Sequence, residues 1–140
     1  MSGLCLEDLG LGQSAERTWT VDAAAIDAFA AVSGDDNPLH TDEAYAATGP
    51  FHGRVAHGML AASYISAVLG AQLPGAGAIY LAQTLRFLRP VRIGDEVKVT
   101  VTVTGIDPAK ARVTLSTRCA VGRKSVVDGE AQVLVSRRGA

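Results

Sequence analysis

The chain has 140 residues, of which 48% are hydrophobic and 19% are charged, and its formal net charge at pH 7 is -1. This length fits one domain with a sizeable core, and no Ser-, Gly- or Pro-rich linker divides the sequence. The near-neutral charge supplies no basic field that would hold nucleic acid or an anionic membrane, so we expect neither partner. The high apolar content exceeds what a solitary monomer needs and predicts an oligomer.

The cysteines and the first residues of the chain indicate the cellular compartment in which the protein is expected. Cys5 and Cys119 lie far apart and lack metal-ligand spacing, which suits a reducing environment. The first eight residues carry acids, without the basic and apolar regions of a signal peptide. The longest apolar stretch, about fourteen residues, is too short for a membrane span. We therefore expect a soluble, cytoplasmic protein.

The first quarter of the chain predicts a strand and then a helix. Ser14 to Val21 contains β-branched and aromatic residues, which are typical of strands. Asp22 suits the N-cap of the helix and Gly34 suits its end. The helix cannot continue through Pro38, which pushes the preceding residue toward extended angles.

A long excursion, about residues 33–55, then separates this helix from a second one. A connection of this length inside a domain is usually functional or disordered, and its Pro, aromatic and His content favours order. From His57 to Leu69 the chain is apolar on all sides, which predicts a helix over about residues 57–70 surrounded by other elements.

The second half of the chain contains four segments with period-2 patterns, each bounded by Gly or Pro. The clearest covers residues 97–104, where valines alternate with Lys or Thr. The other three begin near Ile79, Arg112 and Ser125. We predict an α+β domain in which an antiparallel sheet, dry on one face, curls around the apolar helix, the hot-dog architecture. Gln83 interrupts an apolar strand face, which we interpret as a polar group paired at a subunit contact.

The excursion carries side chains that could act together in proton transfer. Asp35 and His40 lie five residues apart across a Pro-containing turn, so they could converge on one small volume. A carboxylate and an imidazole can hold one water molecule and divide a proton transfer between them. Alternatively, Asp35 or Asp36 caps backbone N–H groups and His40 is a surface residue. The spacing by itself is weak grounds for choosing between these interpretations.

Gly58 stands near the start of the apolar helix. The first backbone N–H groups of a helix have no intrahelical partner and can bind an anionic oxygen. A reaction that develops charge on a carbonyl oxygen needs such donors as well as a proton shuttle. We therefore interpret Asp35 and His40 as acid/base groups that face an oxyanion site at Gly58.

Two segments resemble a known family. Ser33-Gly-Asp-Asp-Asn-Pro-Leu-His-Thr-Asp42 is similar to the hydratase motif of the MaoC-like enoyl-CoA hydratases, and Val55-Ala-His-Gly-Met-Leu-Ala-Ala-Ser63 is similar to their central hot-dog helix. The resemblance continues to Val91-Arg-Ile-Gly-Asp-Glu-Val97 and covers most of the chain, so residues 1–140 are expected to form one such domain. The chain resembles in particular the small (R)-specific enoyl-CoA hydratases that feed polyhydroxyalkanoate synthesis.

The resemblance implies roles for individual residues. Asp35 and His40 would be the catalytic pair, with Gly58 supplying the oxyanion N–H group. Asn37 would orient this pair or contact the substrate. Ser63 is similar to a residue near the acyl pocket of that family, although a small residue there equally suits close packing against the sheet.

The implied reaction is hydration of a trans-2-enoyl-CoA to the (R)-3-hydroxyacyl-CoA, without a metal or an organic cofactor. Which of the catalytic pair takes the proton of the water and which delivers one stays open. The small residues of the helix suggest room for a short or medium acyl chain. A single hot-dog domain commonly resembles half of a dimer, so a homodimer is expected.

Coenzyme A carries phosphates, for which an arginine is a suitable partner. Arg54 and Arg86 are candidates, together with Arg89 and Arg92, although exposed strand arginines more often only face solvent. We assign no role to His52, which lies outside the motif.

Other hypotheses stay open. A 3-hydroxyacyl-[acyl-carrier-protein] dehydratase would run the reverse reaction on the same residues. A non-catalytic acyl-CoA-binding subunit would be expected to lack the Asp/His pair, and a thioesterase usually needs an acid in the central helix, which this chain lacks. A metal site formed by His40, Asp42, His52 and His57 is conceivable, but their spacing matches no common zinc pattern, so we expect none.

Overall fold

The computed structural model describes residues 3–139. Its strands are β1 (Ser14–Thr20), β2 (Ile79–Phe87), β3 (Glu96–Asp107), β4 (Arg112–Val121) and β5 (Lys124–Leu134). Its α-helices are α1 (Ala23–Ser33), α2 (Pro38–Thr41), α3 (Glu43–Ala47) and α4 (Gly58–Ala71), and a 3₁₀ turn (Leu6–Asp8) precedes β1. The order of the five strands and of the two long helices, α1 and α4, is the one predicted from the sequence, whereas the 3₁₀ turn and α2 were not predicted.

The five strands form one antiparallel sheet in the order β1-β3-β4-β5-β2. The strands β3, β4 and β5 follow one another as a meander, while β1 and β2 are added at the two edges. The predicted hot-dog arrangement, an antiparallel sheet with a central helix, is confirmed. Of the helices within residues 3–139, none has the length and apolar character that crossing a bilayer requires.

The core lies between the sheet and α4. Val97, Val99 and Val101 of β3 are fully buried, and so are Ile65 and Val68 of α4. Burial of each such side chain contributes about 1.5–3 kcal/mol. The predicted alternation on β3 therefore supplies the dry face of the sheet, and the packing fixes the position of α4.

The ends of α1 are formed as the sequence predicted. The Asp22 side chain accepts a hydrogen bond from the Ala25 N–H at 2.8 Å, which caps the first turn. Gly34 has φ 80°, a left-handed conformation that turns the chain away from the helix axis. This turn sends the chain into the segment that carries Asp35.

One stripe of α4 is exposed in the single chain, which differs from the prediction that the helix is surrounded on all sides. The exposed residues recur at helical spacing of three and four: Met59, Ser63, Ser66 and Gly70. The opposite side packs on the sheet. The largely apolar composition of the helix alone could not indicate whether its own chain or another molecule covers this stripe.

The edge strand β2 is also exposed. Ile79 is 55% exposed, Leu81 43% and Phe87 54%, so its predicted apolar face is not buried within one chain. The strand pairs with β5 on one side, and its other edge carries no strand of the described sheet. An exposed apolar edge strand of this kind is a common site of association.

Gln83 is paired inside its own chain, whereas the sequence pattern suggested a subunit contact. Its Nε2 donates to Thr117 Oγ1 at 2.9 Å and to the Thr84 carbonyl at 2.8 Å, and the Tyr80 hydroxyl donates to its Oε1. Burial raises the pKa of Tyr80 to about 12, so this hydroxyl keeps its proton and acts as a donor at neutral pH.

Candidate active site

Asp35 lies in the turn between α1 and α2. Its backbone N–H donates to Ser33 Oγ at 3.1 Å, and its Oδ1 accepts from the Asn37 N–H at 3.3 Å. Asn37 in turn caps α2, because its Oδ1 accepts from the Leu39 N–H at 3.0 Å. The capping interpretation is therefore true of one carboxylate oxygen of Asp35, and the residue as a whole is exposed.

His40 is half-buried on α2 and is held by both its ring and its backbone. Its Nδ1 lies 2.8 Å from the carbonyl oxygen of Val55, and Arg54 Nε donates to its own carbonyl oxygen at 2.6 Å. Because a carbonyl oxygen only accepts, Nδ1 carries the proton. The neutral ring then has its lone pair on Nε2, which is free to accept a proton from a water molecule.

A second imidazole, His57, lies against the first. It is the N-cap residue of α4 and is 3% exposed. The rings of His40 and His57 stack with centroids 4.0 Å apart and an interplanar angle of 28°. Sequence reasoning named His57 only as part of a metal hypothesis; its place directly before Gly58, at the polar end of an apolar helix, was a signal that could have identified it.

Gly58 is the first residue of α4, and its neighbours leave no room for a side chain. A Cβ atom at this position would lie 2.6 Å from both Cδ1 and Cε1 of Phe87, a distance that real Cβ contacts do not show. Glycine therefore allows the start of the helix to approach the Phe87 ring. The first N–H groups of α4 lack intrahelical acceptors and carry the positive end of the helix dipole.

The start of α4 borders a cavity of about 450 Å³. Its lining includes His40, His57, Gly58, Phe87 and Arg89. A second cavity of about 500 Å³ lies along α4, and Met59 lines both. The second is bordered by a mixture of small, aromatic and amide side chains: Phe29, Ala62, Ser63, Ser66, Tyr80, Leu81, Ala82, Gln83 and Leu85.

The structure brings the predicted pair together. One carboxylate oxygen of Asp35 and one ring nitrogen each of His40 and His57 all lie within 4.8 Å of one another. Gly58 follows His57 directly and borders the same cavity as His40. Ser63 lies about one and a half turns further along α4 and borders the second cavity, and its hydroxyl donates to the Leu60 carbonyl at 2.6 Å.

The arginines proposed for substrate binding occupy different surroundings. Arg54 forms an ion pair with Asp27 at 2.6 Å in addition to its bond to the His40 carbonyl, and its side chain is only 12% exposed. Arg86 is exposed on β2. Of the other two, Arg89 donates to the Ser125 carbonyl and lines the first cavity, while Arg92 donates to the Phe51 carbonyl.

The possible metal ligands are only partly brought together. Of the four residues considered from the sequence, His40 and His57 are neighbours, whereas Asp42 caps α3 by accepting from the Tyr45 N–H at 3.1 Å. Asp35 takes the third place in the cluster. Within residues 3–139 the group is therefore Asp35, His40 and His57, and not the set considered from the sequence.

Cysteine chemistry is not favoured in the core. Cys119 is fully buried, and its thiol donates to the Ala61 carbonyl at 3.6 Å. Burial raises the pKa of this thiol to about 12, so it is not a thiolate at neutral pH.

Comparisons with known proteins agree on one family. The model of the MaoC like domain matches residues 8–126. The (R)-specific enoyl-CoA hydratase of Rhodospirillum rubrum is 54% identical over 133 residues, which cover 95% of this chain and 92% of that protein.

Solved structures match equally well. The unliganded R-hydratase PhaJ1 of Pseudomonas aeruginosa has a TM-score of 0.92 and 47% identity, with 97% of this chain and 88% of that chain covered. The (R)-hydratase of A. caviae involved in PHA biosynthesis has a TM-score of 0.90 and 48% identity, with 92% and 98% covered. The chain therefore belongs to the MaoC-like family and has its hot-dog fold, as the two sequence motifs predicted.

Proposed function

We propose that the chain is an (R)-specific enoyl-CoA hydratase, which adds water to a trans-2-enoyl-CoA and gives the (R)-3-hydroxyacyl-CoA. The observation that carries the proposal is the proximity of the Asp35 carboxylate to the His40 and His57 imidazoles, whose ligand atoms lie within 4.8 Å of one another, beside the cavity that His40, His57 and Gly58 border. The names of the relatives supply the substrate class and the configuration of the product.

In this mechanism, Asp35 and His40 hold the water between them. Asp35 has one oxygen bound to the Asn37 N–H, and its other oxygen is available to accept a hydrogen of the water. His40 Nε2 takes a proton from the water as the water oxygen bonds to C3 of the enoyl group. The pair then returns one proton to C2, so that one molecule of water is added and the pair is regenerated.

Gly58 stabilises the charge that develops during this step. When oxygen bonds to C3, electron density moves through C2 to the thioester oxygen, which becomes enolate-like. A backbone N–H at the start of α4 can donate to that oxygen without prior reorganisation, because packing on the sheet holds the helix in place. The helix dipole adds positive potential at the same point.

The cavities suggest how the substrate lies. The thioester would sit at Gly58, near Met59, which borders both cavities. The acyl chain would extend beside Ser63 in the second cavity, whose small residues suit a short or medium chain. Arg86 and Arg89 are the better candidates for the coenzyme phosphates, because the Arg54 guanidinium already binds Asp27 and the His40 carbonyl.

We further propose a homodimer in which β2 of one chain pairs with β2 of another, in the cytoplasm. The proposal is supported by the exposed edge of β2 and by the large apolar side chains along it, such as Ile79 and Leu81. Pairing would satisfy the free backbone groups of both edges and remove these side chains from water.

The function is tested directly on crotonyl-CoA. We expect loss of the enoyl absorbance and formation of (R)-3-hydroxybutyryl-CoA, at a rate that treatment of the enzyme with a chelator leaves unchanged. A product of S configuration, or no reaction with enoyl-CoA of any chain length, would contradict the proposal. A much higher rate on the acyl-carrier-protein thioester would instead favour the dehydratase alternative.

Substitution of the catalytic pair should abolish most of this activity. We expect Asp35→Asn and His40→Ala each to lower kcat by about two to four decades, the usual range for general acid/base groups. His52→Ala is the matched control, since His52 is exposed and lies outside the motif; its kcat should stay near the wild-type value. Near wild-type turnover in a folded double variant of Asp35 and His40 would refute the assignment.

Substitution of Arg54 should change kcat more than KM, because the Arg54 side chain donates a hydrogen bond to the backbone carbonyl of His40. We expect Arg54→Met to lower kcat by about tenfold or more, since small displacements of a catalytic group are costly. Arg86→Met, the comparison variant, should instead raise KM for the coenzyme A thioester. If Arg54→Met raised KM for that thioester and left kcat unchanged, Arg54 would be a phosphate ligand after all.

The quaternary structure can be measured by light scattering. We expect a mass twice the 14.5 kDa of one chain. Ile79→Lys should shift the mass toward the monomer, because it places a charge on the proposed pairing edge, whereas Val32→Lys on the exposed face of α1 should not. An active wild-type monomer would argue against the proposed dimer.

A further inference from the structure

His57 is a buried polar residue at the start of an otherwise apolar helix. It is 3% exposed, and within residues 3–139 its buried Nδ1 has no hydrogen-bond partner. Burying an unpaired acceptor is unfavourable, so a polar ring in this position calls for a compensating interaction or a function.

The other ring nitrogen of His57 does have a partner. His57 Nε2 lies 2.9 Å from the backbone carbonyl oxygen of Asp35. Because this oxygen only accepts, Nε2 carries the proton, and the lone pair of the neutral ring is on the buried Nδ1. The bond joins two points of the chain 22 residues apart, the loop that carries the catalytic carboxylate and the residue before Gly58.

The faces of the His57 ring are also occupied. His40 stacks at 4.0 Å between centroids, and Phe29 packs against the ring at 4.8 Å with an interplanar angle of 54°. His57 therefore contacts the ring of His40 and the backbone of Asp35 at the same time. A displacement of His57 would move both members of the pair relative to Gly58.

We propose that His57 is a positioning residue for the hydration reaction: through Nε2–H it fixes the Asp35 loop, and through its ring face it fixes the plane of the His40 imidazole. This role rests on the proposed function for its catalytic consequence, although the hydrogen bond and its tautomer do not depend on any activity.

Two substitutions separate the two contacts. His57→Phe keeps a ring of similar shape for stacking and loses the donor. His57→Gln keeps an Nε2–H donor of similar reach and loses the aromatic face. Asp22→Ala serves as a control for stability, because it removes the cap of α1 and makes no contact with the pair.

We expect His57→Phe to lower kcat on crotonyl-CoA by about ten- to hundredfold with little change in KM, as misplaced catalytic groups do. His57→Gln should recover a substantial part of this loss, and Asp22→Ala should retain the wild-type kcat despite a lower melting temperature. A folded His57→Phe variant with kcat within about twofold of wild type would overturn the proposal.

A measurement on the wild-type protein covers the case in which the variants do not fold. The ¹⁵N chemical shifts of the neutral imidazoles report which nitrogen carries the proton. We expect the Nε2–H tautomer for His57 and the Nδ1–H tautomer for His40. The Nδ1–H tautomer at His57 would overturn the proposal. If the tautomers are as expected but the wild-type protein hydrates no enoyl-CoA, the proposed function fails and the hydrogen bond stands.

Discussion

The candidate site depends on the anchoring of three consecutive residues, Val55, Ala56 and His57. The Val55 carbonyl accepts from His40, the Ala56 N–H donates to the Val91 carbonyl at 2.7 Å, and His57 donates to the Asp35 carbonyl. Val55 also forms an isolated bridge with Arg92. Because this short segment is tied to the chain just before β3 and leads directly into α4, it fixes the loop that carries Asp35 and His40 relative to the sheet and the core. Two imidazole tautomers are fixed by backbone carbonyls, which cannot change their role as acceptors.

The hydrophobic core gives this anchoring its rigidity. The alternating valines of β3 present a continuous apolar face, and α4 packs on it with residues such as Ile65 that are wholly inaccessible to water. A helix held in this way cannot tilt without opening cavities in the core, which is costly. Its first turn therefore keeps a constant position in the fold, and a side chain at Gly58 would require the Phe87 ring to move. A fixed N–H group is what stabilisation of a developing charge requires.

The secondary structure and the family could be predicted from the sequence, because the patterns that identify them lie within short segments. Alternation identified the strands, Asp22 and Gly34 identified the ends of α1, and the two motifs identified the family. The partners of individual side chains could not be predicted in the same way. Arg54 binds Asp27 across 27 residues, and His57 binds Asp35 across 22, so no periodic pattern contains either pair. The candidate role of Arg54 as a phosphate ligand therefore rested on its residue type alone, and the contact of His57 with the Asp35 backbone was not predicted.

The exposed part of α4 and the exposed edge of β2 follow from one feature, the place of β2 at the end of the sheet. Met59 of α4 borders both cavities, Phe87 of β2 borders the first, and Leu81 borders the second, and all three are large apolar residues facing solvent in the single chain. A second chain that covered these side chains would also enclose part of the two cavities and exclude water from the thioester. Lower water content strengthens both the Gly58 interaction and the proton transfers of the pair. In the proposed enzyme, association of two chains therefore serves catalysis as well as stability, because the apolar groups that favour pairing are the same groups that enclose the substrate.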